Sequence, residues 1–237
     1  MTGRARQVIA CADCVIGNGT YLDQVAPLLG GKETIRSSMG KEVDRARKAV
    51  ELACSRQVAV VSGGDPGVYG MASIVLEILE HSGLDIAVEV VPGVTAATAA
   101  ASRLGAPLSG DFTVISLSDL LTPWEEIERR LDLAFRMGVP VVLYNPRSRG
   151  RRDHLAVALS LAVRHLPPET PVGFVKNAFR DGEQAAVTTL GSAAKQIDEV
   201  DMHATVIIGG QGSRIWRRGD GAQGIITPRG YERKYLY

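Results

Sequence analysis

The chain has 237 residues, 45% hydrophobic and 22% charged, with a formal net charge of +1. That composition suits a water-soluble folded chain with length for one large or two modest domains, and so even a charge balance carries no global footprint for nucleic acid. No apolar run is long enough to cross a bilayer and the first residues do not form a secretory signal, so the expected location is cytoplasmic, with no membrane partner.

In chain order, a helix that closes at Cys11 precedes apolar, β-rich runs at residues 14–16, 33–35, 58–61 and 86–91. Helical patterns alternate with these runs, which predicts a wound parallel sheet. Cys11-Ala12-Asp13-Cys14 has the spacing of a redox or half-zinc motif. A closed zinc site needs four ligands, and no second Cys pair or spaced His pair follows, so no metal is expected. Three cysteines also fall short of a disulfide framework. Residues 41–53 place Val43, Ala46, Val50 and Ala53 on one stripe at helical spacing with charges opposite.

After the third run comes Ser62-Gly63-Gly64-Asp65-Pro66-Gly67-Val68-Tyr69-Gly70, and then a helix predicted over residues 71–79. Glycine lets main-chain amides approach a ligand closely. The loop lies at the carboxyl end of a strand, where open α/β sheets bind ligands. Pro92-Gly93-Val94-Thr95-Ala96 breaks the pattern a second time, ahead of an alanine-rich helix ending near Leu104. Two adjacent loops are thereby expected on one edge.

Helix breakers in Gly105-Ala106-Pro107-Leu108-Ser109-Gly110 suggest a linker, dividing the chain into α/β domains at residues 1–107 and 108–237. In the second half, strands are predicted at 112–117, 139–144, 172–176, 186–189 and 205–208. A helix at 124–137 turns Trp124, Ile127, Leu131 and Ala134 inward, and a further helix is read at 192–199. The short connection 177–184 favours antiparallel pairing, so this sheet is expected to be mixed.

Several mechanisms lose their support. Gly17-Asn18-Gly19-Thr20-Tyr21-Leu22 starts as a dinucleotide fingerprint but ends in leucine. Neither Gly-Lys pair has the upstream glycine of a phosphate-binding loop. There is no Gly-x-Ser-x-Gly elbow, and His81, His154, His165 and His203 read as surface or capping groups. The basic run Arg147-Ser148-Arg149-Gly150-Arg151-Arg152 follows a central strand, so Arg147, Arg149, Arg151 and Arg152 are candidates to hold an acidic substrate. Aromatic content of 5% with no stacking platform argues against nucleic acid.

The order of these motifs resembles the tetrapyrrole methylases, which bind S-adenosyl-L-methionine in a cleft between two α/β domains. The resemblance runs over residues 2–212. It rests on the Gly-Asp-Pro loop, on Pro92-Gly93-Val94-Thr95-Ala96, and on Ile115-Ser116-Leu117-Ser118-Asp119-Leu120-Leu121-Thr122-Pro123-Trp124 and Leu143-Tyr144-Asn145-Pro146-Arg147-Ser148. The last two are similar to the branch that methylates carbon 17 of precorrin-3B, or of its cobalt counterpart cobalt-precorrin-3, and contracts the macrocycle. The resemblance implies cofactor contacts at Gly63, Gly64, Asp65, Val68, Thr95, Ala96, Asn145 and Ala178, and a homodimer. Ring contraction requires proton transfers, for which Asp111 is the candidate, although Gly110 stands where the family has histidine. Family members begin with an apolar strand and a Gly-x-Gly-Pro-Gly-Asp loop. This chain begins in the helix beyond them, so that strand and loop are expected to be missing. The Gly-Gly-Asp-Pro form keeps uroporphyrinogen-III methylation open as an alternative, and a silent tetrapyrrole-binding protein is the alternative of another class.

Overall fold

The computed structural model describes residues 1–148 and 150–236. The chain forms two compact units, Met1–Thr95 and the remainder from Ala96 onward.

The first unit opens with helix α1 (Gly3–Cys11), capped by Thr2, whose Oγ1 accepts from the Ala5 amide at 3.2 Å. Strands β1 (Cys14–Asn18), β2 (Glu33–Ser37) and β3 (Val58–Val61) make a parallel sheet in the order β2-β1-β3. Helices α2 (Gly19–Gln24) and α3 (Glu42–Ala53) connect the strands, and α4 (Ala72–Ser82) follows the third. Every residue of the central strand β1 is buried, which explains a run of small and apolar groups in place of an alternation. Ile9, Ala12, Val15, Leu22 and Ala59 form the core on one side. Burial also pushes the Cys14 thiol above its ordinary range.

The inward face of α3 is rotated from the expected stripe. Arg45, Ala46, Ala49 and Val50 are buried, while Val43 is 43% exposed. Arg45 can take a core position because its guanidinium donates to Ser37 Oγ at 2.6 Å and the Ser38 carbonyl at 3.3 Å, beside Met71 Sδ at 3.2 Å.

The strand expected at residues 86–91 does not form. A strand needs a neighbour to complete its ladder, and among the described residues none pairs with this segment. Side chains from the N-terminal helix region hold it instead. Arg4 Nε donates to Glu89 Oε1 at 2.8 Å, and Thr2 Oγ1 donates to the Pro92 carbonyl at 3.4 Å. The bond from Arg4 keeps the Glu89 carboxyl below its ordinary range.

In the second unit, α5 (Ala96–Leu104) and β4 (Gly105–Ala106) precede a five-stranded sheet. Its strands are β5 (Thr113–Ser116), β6 (Val141–Tyr144), β7 (Pro171–Lys176), β8 (Gln184–Thr189) and β9 (Ala204–Ile208). They lie in the order β5-β6-β9-β7-β8. β5 and β6 are parallel and the other neighbouring pairs are antiparallel, so the sheet is mixed as expected. Helices α6 (Trp124–Met137), α7 (His154–Val163) and the single turn α8 (Leu190–Ala193) contribute to the larger core cluster with the strands.

Helix α5 packs with the sheet through Ala97, Ala100, Ala101 and Leu104 against Val142, Val175 and Ile207. Small side chains bring the helix close, and a Cβ on Gly173 would lie only 2.3 Å from Leu104 Cδ1. This packing places α5 with the second unit, so the division falls ahead of the breaker segment 105–110.

Two features escape the sequence pattern. Helix α7 is apolar at nearly every position, so its buried face, Leu155, Ala158, Leu159 and Ala162, does not stand out as a stripe. The hairpin of β10 (Arg214–Arg217) and β11 (Gln223–Ile226) joins β4 through β11, although no strand is read beyond residue 208. Residues 192–199, read as one helix, divide between the end of α8 and a 3₁₀ stretch, Ala194–Glu199.

Leu131 on α6 is fully buried in the larger core and Leu133 is 51% exposed. Leu131→Ala is expected to lower unfolding free energy by about 2–5 kcal/mol, read from urea denaturation. Leu133→Ala is expected to stay within about 0.5 kcal/mol of the parent.

Candidate functional site

The three strands of the first sheet run in one direction, so the segments that follow them leave from one edge. Asp65 organises the loop after β3. Its Oδ1 accepts from the Gly67 amide at 2.8 Å and its Oδ2 from the Gly93 amide at 2.8 Å. One carboxylate therefore ties together the two glycine loops. They touch so closely that a Cβ on Gly93 would stand 2.0 Å from the Gly64 carbonyl oxygen. Only glycine fits there. Gly64 itself is exposed with φ of 74°, a conformation glycine takes without steric cost.

Around this staple, Val68 is half-buried and donates its amide to the Asp65 carbonyl at 3.2 Å. Thr95 is half-buried as well. Gly63 presses on the ring of Tyr21, and a Cβ on Gly63 would lie 2.5 Å from Tyr21 Cε1. Tyr21, on α2, was not among the sequence candidates. Its only signal is the glycine-bearing segment after β1, tested there as a dinucleotide fingerprint.

In the second unit, β6 and β7 both pair antiparallel with β9, and β5 is parallel to β6. β5, β6 and β7 thus point the same way and end on one edge. Asn145, after β6, has φ of 51° and donates Nδ2 to Ser116 Oγ at 2.8 Å. Tyr144 Oη accepts from the Ala97 amide at 2.7 Å, joining the end of β6 to the start of α5, where Ala96 is exposed. Ala178, after β7, is half-buried against the α5 cluster. Asn177 and Phe179 on either side of it have φ of 51° and 58°. Asp111 is exposed ahead of β5.

The basic cluster is largely engaged with the protein itself. Arg147 donates to the Ile197 carbonyl at 2.8 Å and to Asp198 Oδ1 at 3.0 Å. Arg151 donates Nε to Ser148 Oγ at 3.2 Å and lies 3.9 Å from Asp119. Arg152 is exposed, and Arg149 lies outside the described residues. His154, read as a surface or capping group, stacks on Trp124 with ring centroids 3.9 Å apart. Its Nδ1 donates to the Leu117 carbonyl at 2.9 Å, since a carbonyl only accepts. Among the described residues, no group of three or more His, Cys, Asp or Glu side chains is placed to hold a metal ion. No helix among them is long and apolar enough to cross a membrane.

The exit of β7 is pinned by Asp201. Burial would raise its carboxyl, but Lys176 Nζ at 2.6 Å and the His203 amide at 2.9 Å hold it below its ordinary range. A carboxyl lowered on folding stabilises the chain above its unfolded value, and that stabilisation disappears as the pH falls through the folded value. At neutral pH, Asp201→Asn is expected to cost about 0.5–1 kcal/mol. Urea titrations at decreasing pH check this, the gap to the parent closing below the carboxylate range. Asp65→Ala is expected to speed amide exchange by at least about tenfold at Gly67 and Gly93, the energetic equivalent of one charged hydrogen bond. Exchange mass spectrometry over residues 62–71 and 92–96 reads it, with little change expected in the second unit.

The Tetrapyrrole (Corrin/Porphyrin) Methylases family model matches residues 1–194. The chain is 45% identical to the probable cobalt-factor III C(17)-methyltransferase of Salmonella typhimurium, over 98% of this chain and 93% of that one. It is 40% identical to the precorrin-3B C(17)-methyltransferase of Sinorhizobium sp, over 98% and 91%. The cobalamin biosynthesis protein CbiHC of Archaeoglobus fulgidus is 41% identical over 99% of this chain, which spans only 50% of that relative's length. Among solved structures, the methyltransferase CobJ matches with a TM-score of 0.86 and 34% identity, over 96% of this chain and 93% of that one. The Thermus thermophilus uroporphyrin-III C-methyltransferase in complex with S-adenosylhomocysteine matches with a TM-score of 0.68 and 26% identity, over 88% and 90%. The chain therefore belongs to the tetrapyrrole (corrin/porphyrin) methylases.

Proposed function

We propose that this chain transfers a methyl group from S-adenosyl-L-methionine to carbon 17 of precorrin-3B or its cobalt counterpart, with contraction of the macrocycle, in corrin biosynthesis. The observation that carries the reading is the Asp65 staple: it holds two glycine loops in contact at the carboxyl edge of a parallel sheet, where such sheets bind ligands. The names of the full-length relatives support the same chemistry.

The residues suit the cofactor. Gly63 and Gly64 present main chain free of side chains, and Val68 adds an apolar group that does not compete for a methyl cation. Thr95 and Ala96 in the second loop, with Asn145 and Ala178 in the second unit, complete the proposed contact set. When bound, the cofactor supplies an electrophilic methyl group on a sulfonium. The protein's tasks are then alignment and removal of water. Asp65 contributes by fixing the loops, because both its oxygens are taken by amides. Arg152 is the exposed arginine proposed to meet the carboxylates of the macrocycle, and Asp111 remains the proposed proton-transfer residue. We further propose a cytoplasmic homodimer.

Mass spectrometry of precorrin-3B incubated with the full chain and S-adenosyl-L-methionine tests the activity. A product heavier by one methyl group is expected. An unchanged mass at saturating cofactor rejects it, and absence of calorimetric heat with S-adenosylhomocysteine would favour the silent alternative.

A further inference from the structure

Phe179 is held in a backbone conformation that its side chain does not favour. Its φ is 58°, a region where a bulky residue is an outlier, and burial does not compensate, because the residue is 66% exposed. Asn177 takes a similar φ of 51° in the same turn, but asparagine tolerates that region and phenylalanine does not.

A three-residue clamp keeps the arrangement. Glu183 Oε2 accepts from the Phe179 amide at 2.6 Å, and Glu183 Oε1 lies 2.7 Å from Arg103 Nε. The same arginine places its guanidinium over the Phe179 ring, 5.2 Å from the centroid. One carboxylate thus fixes both the strained amide and the cation on one ring face. The clamp orients an aromatic ring whose remaining surface stays open. Strain that persists because its surroundings enforce it gathers at ligand-binding sites.

We infer that Phe179 is a stacking contact for a planar conjugated ligand, positioned by Arg103 and Glu183. The inference rests on the methyltransferase reading, which supplies two such ligands, the adenine of the cofactor and the macrocycle of the substrate. Both have a flat π-face that an aromatic ring covers with little demand on sequence or polarity.

The test uses the full chain with Phe179→Gly, Phe179→Leu and Phe179→Tyr, titrated with S-adenosylhomocysteine by calorimetry and with uroporphyrin III by absorbance, while Tm is followed by scanning calorimetry. Phe179→Gly and Phe179→Leu are expected to weaken binding of at least one probe by about tenfold, and Phe179→Tyr to stay within about twofold. Tm should hold in the leucine and tyrosine variants, and hold or rise in the glycine variant as the strain is released. Loss confined to S-adenosylhomocysteine assigns the ring to adenine, and loss confined to uroporphyrin assigns it to the macrocycle. Unchanged affinity for both probes in the leucine variant overturns the inference while leaving the methyltransferase reading intact. A parent protein that binds neither probe overturns both.

Discussion

The carboxylate of Asp65 accepts from Gly67 in its own loop and from Gly93 in the next, and that pair of bonds ties together the two glycine loops of the first unit. The close approach of Gly93 to the Gly64 carbonyl is the steric half of the same constraint. A side chain at position 93 would force the loops apart. An acceptor lost at position 65 would leave two amides to find water. A charge placed this way acts on the site through the backbone, and the surface it shapes is made of amides and carbonyls. Such a surface is suited to a ligand that must be aligned more than chemically activated.

The second unit reaches comparable order by other means. Tyr144 anchors the first turn of α5, Asn145 ties itself to Ser116, and Asp201 with Lys176 secures the end of β7. Among the described residues, the non-glycine positions with positive φ are Tyr69, Asn145, Asn177 and Phe179. Asn145, Asn177 and Phe179 lie just beyond the ends of β6 and β7, and Tyr69 lies late in the loop between β3 and α4. Strand exits are where backbone hydrogen bonding stops being dictated by a ladder, so a side-chain network can impose a less favourable backbone there. The cost is local, and the core clusters beneath it are built from residues in ordinary strand and helix geometry.

Much of the fold is legible in the sequence. β3 and α6 lie within the boundaries that their apolar patterns predict, the parallel sheet follows from the alternation of strand and helix patterns, and the mixed sheet from the short connection 177–184. The patterns fail where periodicity carries no information. Helix α7 is apolar at nearly every position, so no stripe stands out, and β10 and β11 carry polar or small residues, Arg214, Arg217, Gln223 and Gly224, in place of an apolar run. The segment 86–91 fails for a different reason: its β-rich apolar run suits a strand, but a strand exists only when another one supplies the ladder.

By itself the sequence determined the glycine loops, their attachment to strand ends and the family, because glycine, proline and aspartate specify turn geometry through their own covalent structure. The tertiary structure alone decided which side chains and backbone segments meet within each unit. Asp65 meets Gly93, Gly63 meets Tyr21, Arg45 displaces Val43 from the core, and Arg103 and Glu183 close on Phe179. Most of these pairs are far apart along the chain, and their energies come from desolvation and hydrogen-bond geometry. Both quantities exist only once the chain has folded and the partners are within reach.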